Sequence, residues 1–220
     1  MVSLEKYDAV IFDMDGVLID SEPLWKIAME ETFREVGCNL VKQDFQKTSG
    51  MRIDEVVAYW YNHVGWGGAT QKEVENRIIQ RMITLIEENG KPLTGVVETL
   101  NFLKHSEKRI GLGTSSYSIL MAAVLQTLNL EDAFHFVHSA EHEHYGKPHP
   151  AVYLTVADKL GVHPVKCLVI EDSLNGIIAG KAAKMSVVCI PEKTHHPEPK
   201  LIVADYRYDS MMEFFLEISR

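Results

Sequence analysis

The chain has 220 residues, 46% hydrophobic and 24% charged, and a formal net charge of −9. That is the balance of a folded globular protein, with no sign of disorder, and the acidic charge argues against a nucleic-acid partner, which would need a basic patch. No stretch approaches the roughly 20 apolar residues of a membrane span, and Met1 to Asp8 lacks the basic region and apolar run of a signal peptide, so no membrane partner and a cytoplasmic location are expected.

Taken in chain order, Asp8-Ala-Val-Ile-Phe-Asp13 opens with an apolar run bounded by polar residues, the pattern of a buried strand. The next segment reads almost entirely helical, over about 22–37, 41–48, 52–64 and 70–90, with breaks at Gly37, Gly50 and the Gly65–Gly68 cluster. From about residue 95 strand and helix alternate: helices over 96–107, 116–129, 149–161 and 174–184, strands over 109–114, 134–138, 166–171 and 186–191, and a sixth candidate strand at Ile202-Val-Ala204. Glu192 to Lys200, rich in proline, reads as a loop. The alternation predicts an α/β fold, a doubly wound, Rossmann-like parallel sheet. The 90-residue gap after the first strand predicts an inserted helical bundle, so that 1–20 and 91–220 form the catalytic core and 21–90 a helical cap. Cys38, Cys167 and Cys189 are odd in number and far apart; the last two lie in strand-like runs and read as buried free thiols in a reducing compartment. The histidines His142, His144, His195 and His196 match no zinc spacing and read as loop or surface residues. No repeat demands a partner, so a monomer is expected.

In an open parallel sheet ligands bind beyond the carboxyl ends of the strands. There the sequence places Asp13 and Asp15, Thr114-Ser-Ser116, Glu171-Asp172 and, after the third strand, Lys147. Carboxylates so close repel unless a cation neutralises them, and hard oxygen ligands select Mg²⁺. An attacking carboxylate also needs a cation and a lysine to approach a phosphate, and a second carboxylic acid two residues on can protonate the leaving alcohol. A lone Asp at a strand end is more often a helix cap, and Asp20, ahead of the first helix, is read that way.

These residues carry a resemblance. Asp13-x-Asp15-Gly-x-x-x-Asp20, the strand-end Thr114, Lys147 in Gly-Lys-Pro-His-Pro, and Glu171-Asp172-Ser-x-x-Gly176 resemble, in order, the four motifs of the haloacid-dehalogenase superfamily. The resemblance implies Asp13 as nucleophile and magnesium ligand, Asp15 as acid/base with its carbonyl on the metal, and Thr114 and the Ser115 amide on the phosphoryl group. It further implies Lys147 as counter-charge, Asp172 as metal ligand and Glu171 as a ligand directly or through water. Asp15 argues against dehalogenation. The helical cap and Gly50-x-Arg52 are most similar to the β-phosphoglucomutase-like branch, but Trp25 stands where its mutases carry a histidine, and Trp is no acid/base at neutral pH. Three segments, beginning at Asp20, Gly50 and Tyr145, are similar to sugar phosphatases of the hexitol-phosphatase and 2-deoxyglucose-6-phosphatase kind. A phosphatase of small phosphorylated metabolites is therefore expected, with Arg52, Ser115, Ser116 and Trp25 as substrate-binding candidates. A phosphosugar mutase is the alternative, and an inactive binding module a third reading that the intact motifs disfavour.

Overall fold

The computed structural model describes residues 2–41, 43–48, 50–191 and 199–220. Its centre is a sheet of β1 (Ala9–Phe12), β2 (Arg109–Thr114), β3 (Phe136–Ser139), β4 (Cys167–Glu171), β5 (Ser186–Cys189) and β6 (Tyr206–Arg207). Every neighbouring pair is parallel and the order is β3-β2-β1-β4-β5-β6. The order reverses at β1, between β2 and β4, and a cleft opens at such a switch point.

Between β1 and β2 the chain forms α1 (Glu22–Glu35), α2 (Ile53–His63), α3 (Gln71–Asn89) and α4 (Val96–His105). The first three pack on one another around aromatic residues: Phe33 stacks on Phe45 at 6.2 Å and meets Trp66 edge-on at 5.6 Å. A capping box starts α3, with Thr70 N donating to Glu73 Oε2 at 2.7 Å and Glu73 N to Thr70 Oγ1 at 3.2 Å. The chain leaves and rejoins the sheet at one place, where Ile19 bridges Pro92 and Leu93 N donates to Leu18 O at 2.9 Å.

The remaining helices are α5 (Ser118–Leu128), α6 (Ala151–Leu160), α7 (Leu174–Ala182) and α8 (Met211–Ile218). Strand residues alternate between two cores. Val10, Phe12, Ile110, Leu112, Leu168 and Ile170 join α1–α5 and α8 on one face, whereas Ala9, Ile11, Cys167, Val169 and Cys189 join α6 and α7 on the other. Cys38, Cys167 and Cys189 are free and buried. Among the described residues no helix is long and apolar enough to cross a membrane.

The expected strand at Ile202–Ala204 is absent: Pro199–Val203 is a 3-10 helix that buries only Leu201, and the sixth strand comes later, at Tyr206–Arg207. Ile202 and Val203 face outward, so their apolarity marks no sheet position. The predicted loop thus reaches too far at Pro199 and Lys200, and its residues 192–198, His195 and His196 among them, lie outside the described residues. The sequence reading also missed α8, although Ser210 caps it by accepting from Glu213 N at 3.1 Å, the Ser-x-x-Glu signature of a helix start.

Candidate active site

Asp13 follows directly on β1, its amide donating to Ile170 O of β4 at 2.9 Å. This fixes its side chain at the switch point, next to Glu171 at the end of β4. Between them stands Lys147, 3% exposed, whose Nζ lies 2.8 Å from Asp13 Oδ1 and 2.7 Å from Glu171 Oε1. Glu171, fully buried, has both oxygens occupied. Oε1 accepts from Lys147 and from the Tyr153 hydroxyl at 2.6 Å; Oε2 accepts from the amides of Asp172 and Ser173 and from Ser173 Oγ. Its part is to anchor Lys147 and the β4–α7 turn. Ser173, not Glu171 or Asp172, caps α7 by accepting from Gly176 N.

Two glycines of the site are required by close approach. A Cβ on Gly16, which has φ +73°, would lie 2.0 Å from Asp172 Oδ2, and one on Gly176 would lie 1.6 Å from Glu171 Oε1.

Asp15 is held by three donors: Ser21 Oγ at 2.5 Å and Trp25 Nε1 at 3.0 Å on one oxygen, Ser116 Oγ at 2.6 Å on the other. Ser21 and Trp25 belong to the start of the helical segment and Ser116 to the turn after β2, so the carboxylate is oriented from both sides. Thr114, 1% exposed, turns its hydroxyl back to accept from Ser116 N at 3.0 Å. Ser115 Oγ donates to Gly50 O at 3.2 Å, across to the helical segment.

Over these groups lies a pocket of about 800 Å³, counting its open mouth. Asp13, Asp15, Thr114, Ser115, Ser116, Lys147 and Asp172 line it, together with Trp25, Phe45, Met51 and Val56. Glu171, fully buried, is not among the lining residues. Arg52, a substrate-binding candidate from the sequence, is not among the lining residues. Its guanidinium is turned to Asp54, at 3.1 and 2.9 Å, and to the carbonyls of Ala140 and Glu143, at 3.0 and 2.9 Å. Four acceptors satisfy the fork and hold it outside the cavity. Asp20 is exposed, and Ser21, not Asp20, stands at the cap of α1. Sequence reasoning missed Ser21, Tyr153 and Glu22, another residue of the pocket lining. The partners of Ser21 and Tyr153 lie on other elements, while Glu22 pairs with Lys26 one turn along α1 at 3.1 Å; the only available signal was their place inside the motif-bearing segments.

The electrostatics follow from burial. Burial pushes Asp13 up to about 7, with the repulsion of Glu171 and Asp15 added against the pull of Lys147. Burial and the charges of Glu171 and Asp13 likewise hold Asp172 well above the usual carboxylate range. Glu171 is raised by burial too, but Lys147, Tyr153 and the Ser173 amide outweigh it and leave its pKa below the usual value. Burial disfavours the Lys147 ammonium, yet its two carboxylates hold its pKa above that of an ordinary lysine. Oxygens of Asp13, Glu171 and Asp172 lie within 4.8 Å of one another, and among the described residues no other such cluster of acids, histidines or cysteines occurs. Acids crowded enough to resist ionisation, offering hard oxygen donors, fit a divalent cation. Since donors saturate Glu171, Asp13 and Asp172 are the better placed to hold it.

Residues 10–190 match the family model described as haloacid dehalogenase-like hydrolase. The chain is 41% identical over 206 residues to hexitol phosphatase B of Escherichia coli (strain K12), covering 93% of each chain. It is 30% identical over 187 residues to the fructose-1-phosphate phosphatase of the same organism, covering 84% of this chain and 96% of that protein. In fold it is similar to CbbY of Rhodobacter sphaeroides, with a TM-score of 0.86 at 23% identity over 94% of this chain and 96% of that one.

Proposed function

The chain belongs to the haloacid dehalogenase-like hydrolase family, and we propose that it is a Mg²⁺-dependent phosphatase of small phosphorylated sugars or polyols that forms an aspartyl-phosphate on Asp13. One observation carries this reading: a buried lysine shared between Asp13 and Glu171 beside a metal-competent acid cluster, with Asp15 facing the same pocket two residues on. The similarity to named phosphatases of hexitol and fructose 1-phosphate supports the substrate class.

Asp13 attacks phosphorus, and the bond from phosphorus to the ester oxygen breaks. Asp15 gives the departing oxygen its proton, so a neutral alcohol leaves. Water then attacks the aspartyl-phosphate, Asp15 takes the water proton, and the bond to Asp13 breaks to release inorganic phosphate and the free carboxylate. Lys147 holds Asp13 and offsets charge building on the phosphoryl oxygens, and Thr114 and the Ser115 amide bind that group. A Mg²⁺ held by Asp13, Asp172 and the Asp15 carbonyl, with Glu171 supporting from behind, supplies Lewis-acid neutralisation of the phosphate. The segment 21–90 is the cap over the site, and Trp25 orients Asp15 from it. Trp25 has no basic nitrogen to relay a proton, which favours water over a second sugar as the acceptor. The three buried free thiols support a cytoplasmic location.

Hydrolysis of p-nitrophenyl phosphate in Mg²⁺ tests the reading. The Asp13→Asn protein, folded by circular dichroism, is expected to lose turnover altogether, and retained turnover would refute the assignment.

A further inference from the structure

Lys147 carries three N–H groups. Two are taken, one by Asp13 Oδ1 at 2.8 Å and one by Glu171 Oε1 at 2.7 Å. An ammonium between two carboxylates is divided between them, and the better acceptor takes the larger share. The flexible lysine stem does not fix that division. Neighbouring groups must do so.

Tyr153 of α6 touches both sides of the division. Its hydroxyl donates at 2.6 Å to Glu171 Oε1, the same oxygen that accepts from Lys147, and its ring centroid lies 4.7 Å from Lys147 Nζ. A carboxylate oxygen that already accepts one hydrogen bond has less charge to offer a second donor. The ring face adds a cation–π attraction that draws the ammonium to neither carboxylate. Tyr153 is fully buried and is not among the pocket-lining residues, so it acts on the site only through these neighbours. The sequence of β2, Arg-Ile-Gly-Leu-Gly-Thr, makes room for it. A Cβ on Gly111 would lie 2.5 Å from Val156 Cγ1 of the same helix, and one on Gly113 would lie 3.2 Å from the Tyr153 ring. The two glycines let α6 settle close to the sheet, with the ring against β2.

We propose that Tyr153 is a positioning residue: its hydroxyl keeps Glu171 from capturing Lys147, so that the ammonium stays shared with Asp13 and available to a phosphoryl group in the pocket that Lys147 lines. Without the hydroxyl, the fully buried Glu171 Oε1 loses a donor and draws Lys147 toward itself. Asp13 and the phosphoryl group are then left with less counter-charge. The proposal rests on the phosphatase reading for the reaction in which Lys147 is used, not for how Lys147 is held.

Tyr153→Phe keeps the ring and removes only the hydroxyl. With p-nitrophenyl phosphate and saturating Mg²⁺, kcat per folded molecule is expected to fall about tenfold, the effect of one hydrogen bond to a charged group, while KM moves by less than about threefold. Two calorimetric measurements need no turnover. The Kd of orthovanadate, a five-coordinate stand-in for the transferring phosphoryl group, is expected to weaken about tenfold with Mg²⁺ present, and that of inorganic phosphate by less than about threefold. The Kd of Mg²⁺ itself is expected not to weaken, since Asp13 and Asp172 remain. A merely structural tyrosine would lower Tm and leave kcat and the vanadate-to-phosphate ratio as they are, so an unchanged kcat or an unchanged ratio overturns the proposal. Mg²⁺ affinity that weakens in step with kcat also overturns it, because Tyr153 would then act on the metal and not on Lys147. In a parent that hydrolyses no ester the vanadate Kd decides: the expected weakening refutes the phosphatase reading alone, and a parent that binds no vanadate overturns both.

Discussion

Asp13 is expected to make the metal-free protein lose stability as pH rises through neutrality, and Asp13→Asn to remove much of that loss. Burial lifts its carboxyl from 3.8 to about 7 in the folded chain. A group whose folded pKa is raised contributes stability that is complete below its unfolded value, near 4, and is lost as pH climbs through about 7. The shift is close to 3 pKa units, which at 1.36 kcal/mol each sets an upper limit of about 4 kcal/mol. About two of those units fall inside the window from pH 5 to pH 8, about 3 kcal/mol, which for a domain of this size corresponds to a drop in Tm of about 8 °C. Asp172 is shifted in the same direction and adds to the effect. Glu171 is shifted the other way, so its contribution is present throughout the window and lost only in acid. The assay is thermal melting in EDTA at pH 5 and pH 8, with and without excess Mg²⁺, in the parent and Asp13→Asn proteins. Mg²⁺ binds the ionised form, so its stabilisation of the parent should be larger at pH 8 than at pH 5. A parent Tm in EDTA that is level or rises from pH 5 to pH 8, or an Asp13→Asn protein that falls as steeply as the parent, would refute the reasoning.

Gly176→Ala gives two opposed expectations that a denaturant melt decides. Helix propensity favours alanine by about 1 kcal/mol, but the Cβ would lie 1.6 Å from Glu171 Oε1 and drive that carboxylate from Lys147 and Tyr153. The expected result is a net loss of about 3–5 kcal/mol, the cost of breaking a buried charge pair; a stabilised variant would show that Glu171 does not need its present position. Trp25→Phe keeps the pocket wall and removes the 3.0 Å donor to Asp15. A hydrogen bond to a charged group is worth about 1.5–3 kcal/mol, and at this partly exposed site the lower end applies, so kcat should fall about tenfold with KM nearly unchanged. An unchanged kcat would mean that Ser21 and Ser116 orient Asp15 unaided.

The sheet was legible because its strands are short apolar runs closed by turn residues, and the helical insertion because four helical patterns separate Phe12 from Arg109. The floor of the site could be read for a related reason: a parallel sheet assigns its strand ends to one edge, so Asp13, Thr114 and Glu171 meet whatever the rest of the chain does. Side-chain direction was not legible. Arg52 belongs by sequence to a loop over the pocket, yet the carbonyls of Ala140 and Glu143, some 90 residues on, draw it away. Trp25 read as a wall and proved also to be a donor, and Ser21 escaped notice because its partner Asp15 lies across the loop between β1 and α1. The end of the chain misled for a simpler reason, since the apolar Ile202 and Val203 face outward beside a two-residue strand.

The pairing of Ile19 with Pro92 and of Leu93 N with Leu18 O brings the two ends of the segment 21–90 side by side. A segment spliced in at neighbouring points strains nothing in its host, because the host's loop is closed before the insert begins. Change in the helices then leaves Asp13, Lys147 and Glu171 in register on their strands, whereas Asp15, held by Ser21 and Trp25 of that same segment, ties proton transfer to it. The choice of alcohol would drift through Phe45, Met51 and Val56 only as far as those two donors stay in place.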